Sequence, residues 1–276
     1  MSRILATALL FFLLYIPATS FSEDRTVTNI AGDVFRFKNM FHYSIFVISD
    51  DGVIVTDPIN AEAASWLRLE IGKLTDKPIT HLIYSHSHAD HASGGAAFGE
   101  VPNIIAQQDA PSSIDGVIPT LRISEATSIE VGGKTIELTP LGPGHGADLM
   151  AVVVRPENVG FIVDAVAARR LPFRDFPNSD VDDWTQQVRN VEALDFEIFA
   201  GGHGPIGVKE DVTSGRVYME ELRAKVLAGL KSGKSDDDLA NVITMEKYKD
   251  WGSYAQWREL NVLGMARHLR AIGAEK

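Results

Sequence analysis

Ser85-His86-Ser87-His88-Ala89-Asp90-His91 packs three imidazoles and a carboxylate into one short stretch. His86 and His88 stand two apart, so at the mouth of a strand their rings leave on the same side. Leu82, Ile83 and Tyr84 lead in as apolar, β-prone residues, and Ala92-Ser93-Gly94-Gly95 leads out. The cluster therefore belongs on a loop at a strand's end, where rigid scaffold aims side chains into a cleft.

Working outward, the same arrangement recurs. Gly142-Pro143-Gly144-His145-Gly146-Ala147-Asp148 is a breaker-rich loop with one histidine, Phe161-Ile162-Val163 is an apolar strand ending in Asp164, and Ile198-Phe199-Ala200 runs into Gly201-Gly202-His203-Gly204-Pro205. Four times a buried strand ends with a metal-competent residue at its mouth: His86, His145, Asp164 and His203. Upstream, Val34 to Phe37, Tyr43 to Ile48 and Val53 to Asp57 form a meander, with a turn at Asp50-Asp51-Gly52. The piece Asn39-Met40-Phe41-His42 is expected to be exposed and apolar, either a flap over a site or an ordinary hairpin tip.

Ala61 to Leu74 has helical spacing, with Ala64, Leu67, Ile71 and Leu74 along one stripe. Pro78 to Tyr84 is the strand that delivers the histidine loop. Ile104 to Ala106 is a short buried strand, and Ser128 to Val131 and Lys134 to Leu138 form a hairpin about Gly132-Gly133. Val181 to Leu194 reads as a helix. Beyond Val208 the texture is helical: Val212 to Leu230, a helix capped by Ser235 with Asp238, and Trp257 to Ile272. The expected organisation is a main domain over residues 21–207 and a helical C-terminal extension over 208–276 packed on it. Tyr248, Trp251, Tyr254 and Trp257, between those helices, read as packing or dimer contact rather than substrate binders.

Composition narrows the function. At 276 residues the chain can bury a sizeable core, and its average makeup gives no sign of disorder or repeats. It has no cysteine, which excludes thiolate ligands, a cysteine nucleophile and disulfides. A net charge of −11, with no basic run, argues against a nucleic-acid partner and for a small molecule. Arg3, the apolar stretch from Ile4 to Pro17 and Ala18-Thr19-Ser20 read as a signal peptide over residues 1–20, with an uncleaved anchor as the alternative. The apolar core is short of the about 20 residues a membrane span needs. A periplasmic or secreted protein follows, touching a membrane only through that segment; a homodimer is left open.

Neutral imidazole and carboxylate suit zinc or another borderline divalent ion. The sequence offers seven such groups, and two ions about 3.5 to 4 Å apart sharing one bridging carboxylate would use them all. His86-Ser87-His88-Ala89-Asp90-His91, His145 in its glycine loop, Asp164 after an apolar strand and His203 in Gly-Gly-His-Gly together resemble the metallo-β-lactamase fold superfamily, over roughly Val27 to Val208. The resemblance implies an α/β fold, a four-layer αββα sandwich with the site at one edge. It also implies His86, His88 and His145 on a first metal, Asp90, His91 and His203 on a second, Asp164 between them, and Asp57 beneath as an orienting residue.

Two zinc ions are expected, with iron or manganese as alternatives, together with hydrolysis through a metal-bridging hydroxide that Asp90 orients or deprotonates. The lack of cysteine excludes the thiolate-bearing β-lactamases, and an aspartate bridge resembles glyoxalase II and lactonases more. The sequence after Asp164 does not match the glyoxalase II pattern. A small ester, thioester, lactone or amide is the expected substrate; a β-lactamase and a mononuclear iron persulfide dioxygenase-like oxidoreductase are the alternatives. His42, Phe41, Arg169 and Arg170 are weaker candidates for substrate contact, and His81 and His268 read as surface or packing residues.

Overall fold

The computed structural model describes residues 25–276; the signal-peptide reading of residues 1–20 lies outside them. The chain opens with an antiparallel meander, β1 (Arg25–Ala31), β2 (Val34–Asn39), β3 (His42–Ile48) and β4 (Val53–Thr56). Helix α1 (Ala61–Leu74) then crosses to β5 (Ile79–Ile83), which pairs parallel to β4. After the histidine loop come the one-turn helix α2 (Ala89–Ala92), β6 (Asn103–Gln107) and β7 (Leu121–Ile123), completing a seven-stranded sheet in chain order.

A second, six-stranded sheet follows: β8 (Thr127–Val131), β9 (Lys134–Pro140), β10 (Met150–Arg155), β11 (Val159–Ile162), then helix α3 (Val181–Ala193), β12 (Ile198–Gly201) and β13 (Gly207–Val208). Helices α4 (Lys209–Lys231), α5 (Asp236–Val242) and α6 (Tyr254–Ala271) end the chain. Among the described residues no helix is long and apolar enough to cross a membrane.

The strands alternate in a way that builds layers. In β4 and β5, Ile54 and Ile83 face the second sheet, meeting Ile136, Leu138, Val152 and Phe161, whereas Val53, Val55 and Leu82 face α1. Such strands are buried on both faces, which is why they read as apolar runs. Helix α1 covers the first sheet with Ala63, Ala64, Leu67 and Ile71; Asn60 caps it by accepting from Ala63 N at 2.8 Å. Burying Leu67 and Ile71 stabilises this layer by about 1.5–3 kcal/mol each. Leu74, expected on the same stripe, is instead exposed at 50%, because the helix ends there and its last turn has no sheet beneath it.

On the far face of the second sheet, Trp184 and Val188 of α3 join Tyr218, Met219 and Leu222 of α4 and Val262 and Met265 of α6 in one apolar cluster. The four-layer αββα order is therefore present, and the C-terminal helices thicken its outer layer. The expected boundary at 207/208 falls inside β13, which pairs with β12, so the sheet runs into the start of the extension.

The two sheets are stitched where the histidine loops emerge. Met150 N donates to Ser85 O at 2.8 Å and Tyr43 N to Gly202 O at 2.9 Å. Arg36, buried and stacked on Tyr43 with its guanidinium carbon 3.6 Å from the ring centre, donates to Gly201 O and Gly204 O. The strand-end loops of both sheets thus meet at one edge.

Candidate metal centre

Four loops at that edge bring together every residue of the expected ligand set. His86 and His88 lie in the loop after β5, their ring centroids 4.6 Å apart. Asp90 and His91 lie in α2, a turn of helix the sequence pattern did not announce. His145 comes from the β9–β10 loop, Asp164 from just past β11, and His203 from the β12–β13 loop. Two ligand-capable groups result, His86, His88, His145 and Asp164 in one and His42, Asp90, His91 and His203 in the other, with ligand atoms in each within 4.8 Å of one another. Asp164 lies between the two: Oδ2 is 3.2 Å from His145 Nε2 and 3.4 Å from His91 Nε2, and Oδ1 is 3.3 Å from His203 Nε2.

Hydrogen-bond logic assigns the tautomers. Ser85 donates its hydroxyl to Asp57 Oδ2 at 2.6 Å, so the 3.0 Å contact from His86 Nδ1 must be an N–H given to that hydroxyl's lone pair. His86 Nε2 is left bare, buried and without a hydrogen-bond partner, 3.7 Å from Asp164. Likewise His203 Nδ1 donates to the carbonyl of Phe41 at 2.9 Å, leaving Nε2 bare and 3.2 Å from His91 Nε2. Imidazole lone pairs converging beside a carboxylate, that of His86 Nε2 without any partner, form a donor set that could hold divalent ions, and the residues fit such ions.

Electrostatics agree at three of the imidazoles. Burial holds His86, His88 and His203 below the ordinary imidazole range, keeping them in the neutral, ligating form. Burial alone would raise the Asp164 carboxyl, but His91 and His145 outweigh it and hold it well below the carboxylate range. Burial would lower His91, yet Asp164, Asp57 and Asp90 push it up to about 9. Asp57, fully buried, is raised to about 6 by desolvation while Ser85 N donates to it at 2.8 Å. Through Ser85 it fixes His86, and its Oδ2 sits 3.9 Å from His91 Nδ1.

Asp164 has a left-handed backbone, φ 58°, tightened by the 2.6 Å contact from Ala165 N to Val163 O. Conformations of this kind cost about 1–3 kcal/mol and gather at functional sites. The bend is what turns the carboxylate from the strand axis into the cluster.

Residues 38–203 match the family profile described as the Metallo-beta-lactamase superfamily. The chain belongs to that superfamily. Among curated proteins it is 24% identical, over 94% of its own length and 84% of the other's, to 2,4-dinitroanisole O-demethylase subunit alpha of Nocardioides sp.. It is 27% identical to Thioesterase pkgB of Emericella nidulans, over 47% of this chain and 35% of the thioesterase. It is 26% identical to Metallo-beta-lactamase type 2 of Elizabethkingia meningoseptica, over 54% and 62%. Among solved structures, the metallo-beta-lactamases from Pontibacter korlensis and Hirschia baltica superpose with TM-scores of 0.63 and 0.59. Both are 17% identical and cover 71% of this chain; 99% and 97% of the respective neighbours are spanned.

In this member of the superfamily the cluster opens into a cavity of about 610 Å³. Phe41, His42, Asp90, Asp164, Arg170 and Trp257 are among its lining residues, together with apolar Val166 and Met219. Met40 and Phe41 form a tight turn with Met40 left-handed at φ 57° and Phe41 57% exposed, whereas Asn39 is buried and His42 already belongs to β3. The exposed apolar piece is therefore two residues long. His42 reaches the cleft and its Nε2 lies 3.2 Å from Asp90 Oδ2.

Arg170 lines the cavity, but its neighbour Arg169 is exposed and does not. With φ 49°, Arg169 sits at a left-handed step where its side chain leaves on the solvent side. Trp257, read as packing or dimer contact, faces the cavity because α6 folds back over the segment after Asp164. His268 is buried, its ring nitrogens 3.4 Å from Asp182 and 3.8 Å from Asp180 at the start of α3.

Positioning residues on α3 escaped the sequence reading. Gln187 accepts from His145 N at 3.0 Å and donates to Gly142 O at 2.7 Å; Trp184 stacks edge-on to the His145 ring, centroids 4.7 Å apart, and donates to Ala165 O. The one available signal was a glutamine and a tryptophan on the buried face of an otherwise amphipathic helix.

Proposed function

We propose that the protein is an exported metal-dependent hydrolase that adds water across an activated bond of a small molecule, an ester, thioester, lactone or amide. The observation that carries the reading is the convergence of imidazole nitrogens on Asp164, His86 Nε2 among them without a partner, at the mouth of an apolar cavity. His86, His88 and His145 would hold one ion, Asp90, His91 and His203 a second, with Asp164 shared. Bound there, ions of the zinc type supply Lewis acidity and lower the pKa of coordinated water.

The chain's own residues do the rest. Asp90, its side chain 52% exposed to the cleft, is kept ionised by the His42 contact and is the group placed to orient or take the proton of the attacking water. His42 fixes that carboxylate's direction. Val166, Met219 and Phe41 surround the substrate with apolar surface and exclude bulk water, which strengthens every charge interaction inside.

Hydrolysis of an activated aryl ether is the second reading. The similarity to the 2,4-dinitroanisole O-demethylase subunit runs over 94% of the chain, against 47% for the thioesterase and 54% for the Elizabethkingia β-lactamase. Metal analysis of the purified protein, beside a panel of esters, thioesters, lactones, 2,4-dinitroanisole and nitrocefin, separates these readings. Two zinc per chain with chelator-sensitive ester turnover is expected, and Asp164→Ala is expected to lose ions and activity together. A single iron per chain would point to an oxygenase and sink the hydrolase; nitrocefin turnover alone would make it a β-lactamase.

A further inference from the structure

Resting on the small-molecule hydrolase reading, a second question is what kind of molecule the cavity selects. Its walls are mainly apolar, from Val166, Leu171, Val188, Met219 and Phe173, and among the described residues Arg170 is the one arginine or lysine that lines it. Arg170 is half-buried, yet no described residue accepts a hydrogen bond from its guanidinium and no described carboxylate lies within ion-pair distance of it. A half-buried guanidinium without a partner is costly unless something else supplies the charge. Asp164 acts on it only from beyond contact distance and is already surrounded by His86, His91, His145 and His203.

Its orientation is built, not incidental. The guanidinium carbon lies 4.8 Å from the ring centre of Trp257, and that ring is braced edge-on by Phe173 at 5.2 Å. The Arg170 backbone is gripped on both sides by the C-terminal extension: Gly252 N donates to Arg169 O at 2.8 Å, and Leu171 N donates to Gly252 O at 3.0 Å. Asn261 of α6 donates to Pro172 O at 3.1 Å and to Arg174 O, so the whole segment hangs from α6. Stacking on an aromatic face leaves the edge N–H fork of an arginine free for a planar anion.

We infer that the substrate is an apolar, aromatic-sized molecule bearing one anionic group, which Arg170 receives with Trp257 of the C-terminal extension as its positioning residue. The geometry assigns the extension to substrate choice and the loops of the two sheets to chemistry. A neutral analogue would leave the guanidinium desolvated and unpaired, which is how such a site discriminates.

The test needs no turnover and therefore stands apart from the ester panel. Calorimetric titration of the metal-loaded full chain compares benzenesulfonate with methyl phenyl sulfone, an anion and a neutral molecule of the same aromatic body. Wild type is expected to bind the sulfonate about tenfold to a hundredfold more tightly, the range of one charge-assisted hydrogen-bonded pair. Arg170→Gln should bring the two probes to parity, Arg170→Lys should keep an intermediate preference, and Trp257→Leu should weaken a preference that Trp257→Phe retains. Should Arg170→Gln not fold, the Lys and Trp257 variants carry the comparison. Equal binding of the probes by wild type, or a preference that survives every substitution, overturns the inference. An inert ester panel beside an intact sulfonate preference would overturn only the hydrolase.

Discussion

At the scale of single residues, charge is organised around one pair the family pattern alone does not specify. His42 stands 3.2 Å from Asp90, and its hydrogen bond, working against burial and helped by His91, holds that carboxyl below the ordinary range. The sign follows directly. A carboxylate whose pKa is depressed stays ionised to lower pH, so removing the depressing contact moves its titration upward. His42→Ala is therefore expected to shift the acid limb of the pH–rate profile to higher pH while the bound-ion count stays at the wild-type value. An unmoved acid limb would mean that Asp90 is not the titrating group or that His42 does not govern it.

At the scale of elements, α3 is the part whose role no motif announces. Its outer turns are polar and its inner face carries Trp184, Gln187 and Val188, with Asp180 capping the helix by accepting from Asp182 N and Asp183 N. Gln187 holds the His145 loop from both ends. Gln187→Leu keeps the volume but strands His145 N and Gly142 O, at about 1–3 kcal/mol for each group left buried without a partner. The expected outcome is a lowered melting temperature together with weakened uptake of one ion, the other cluster's affinity being retained. Uniform loss of both ions would contradict a local role.

Elements also mark where sequence reading stops. Strands β2 to β5 and β9 to β12 were legible because both faces are buried and the residues are β-branched or aromatic. Strand β1 was not, since its Arg-Thr-Val-Thr-Asn run is half exposed and polar at a sheet edge, and β7 is three residues with Leu121 exposed. The ligand loops were legible because histidines among glycines at strand ends have few other uses. Gln187, Trp257 and the unpaired state of Arg170 were not, because each gains its meaning from a contact with a segment far off in the chain.

For the whole molecule, the outer layer is one body. Met219 and Tyr218 of α4 and Val262 and Met265 of α6 share a core with Trp184, Val188 and Phe199, Tyr218 donates to buried Asn261 at 2.7 Å, and Arg223 pairs with Asp182 across α3 and α4. Gly264 allows α6 to press onto the segment after Asp164, since a Cβ there would meet Asp175 O at 2.4 Å. Deleting residues 208–276 should therefore give an aggregated or poorly folded product by size-exclusion chromatography and circular dichroism. A monomeric, active truncation would show that the extension is dispensable.

The separation of the ligands along the chain has its own consequence. His91 and His203 face each other at 3.2 Å although they stand 112 positions apart in the chain, and His145 and Asp164 come from two further loops. No short stretch of this polypeptide contains either ligand-capable group whole, so any capture of ions there would follow folding. Occupancy of such a site would then serve as a record of completed folding.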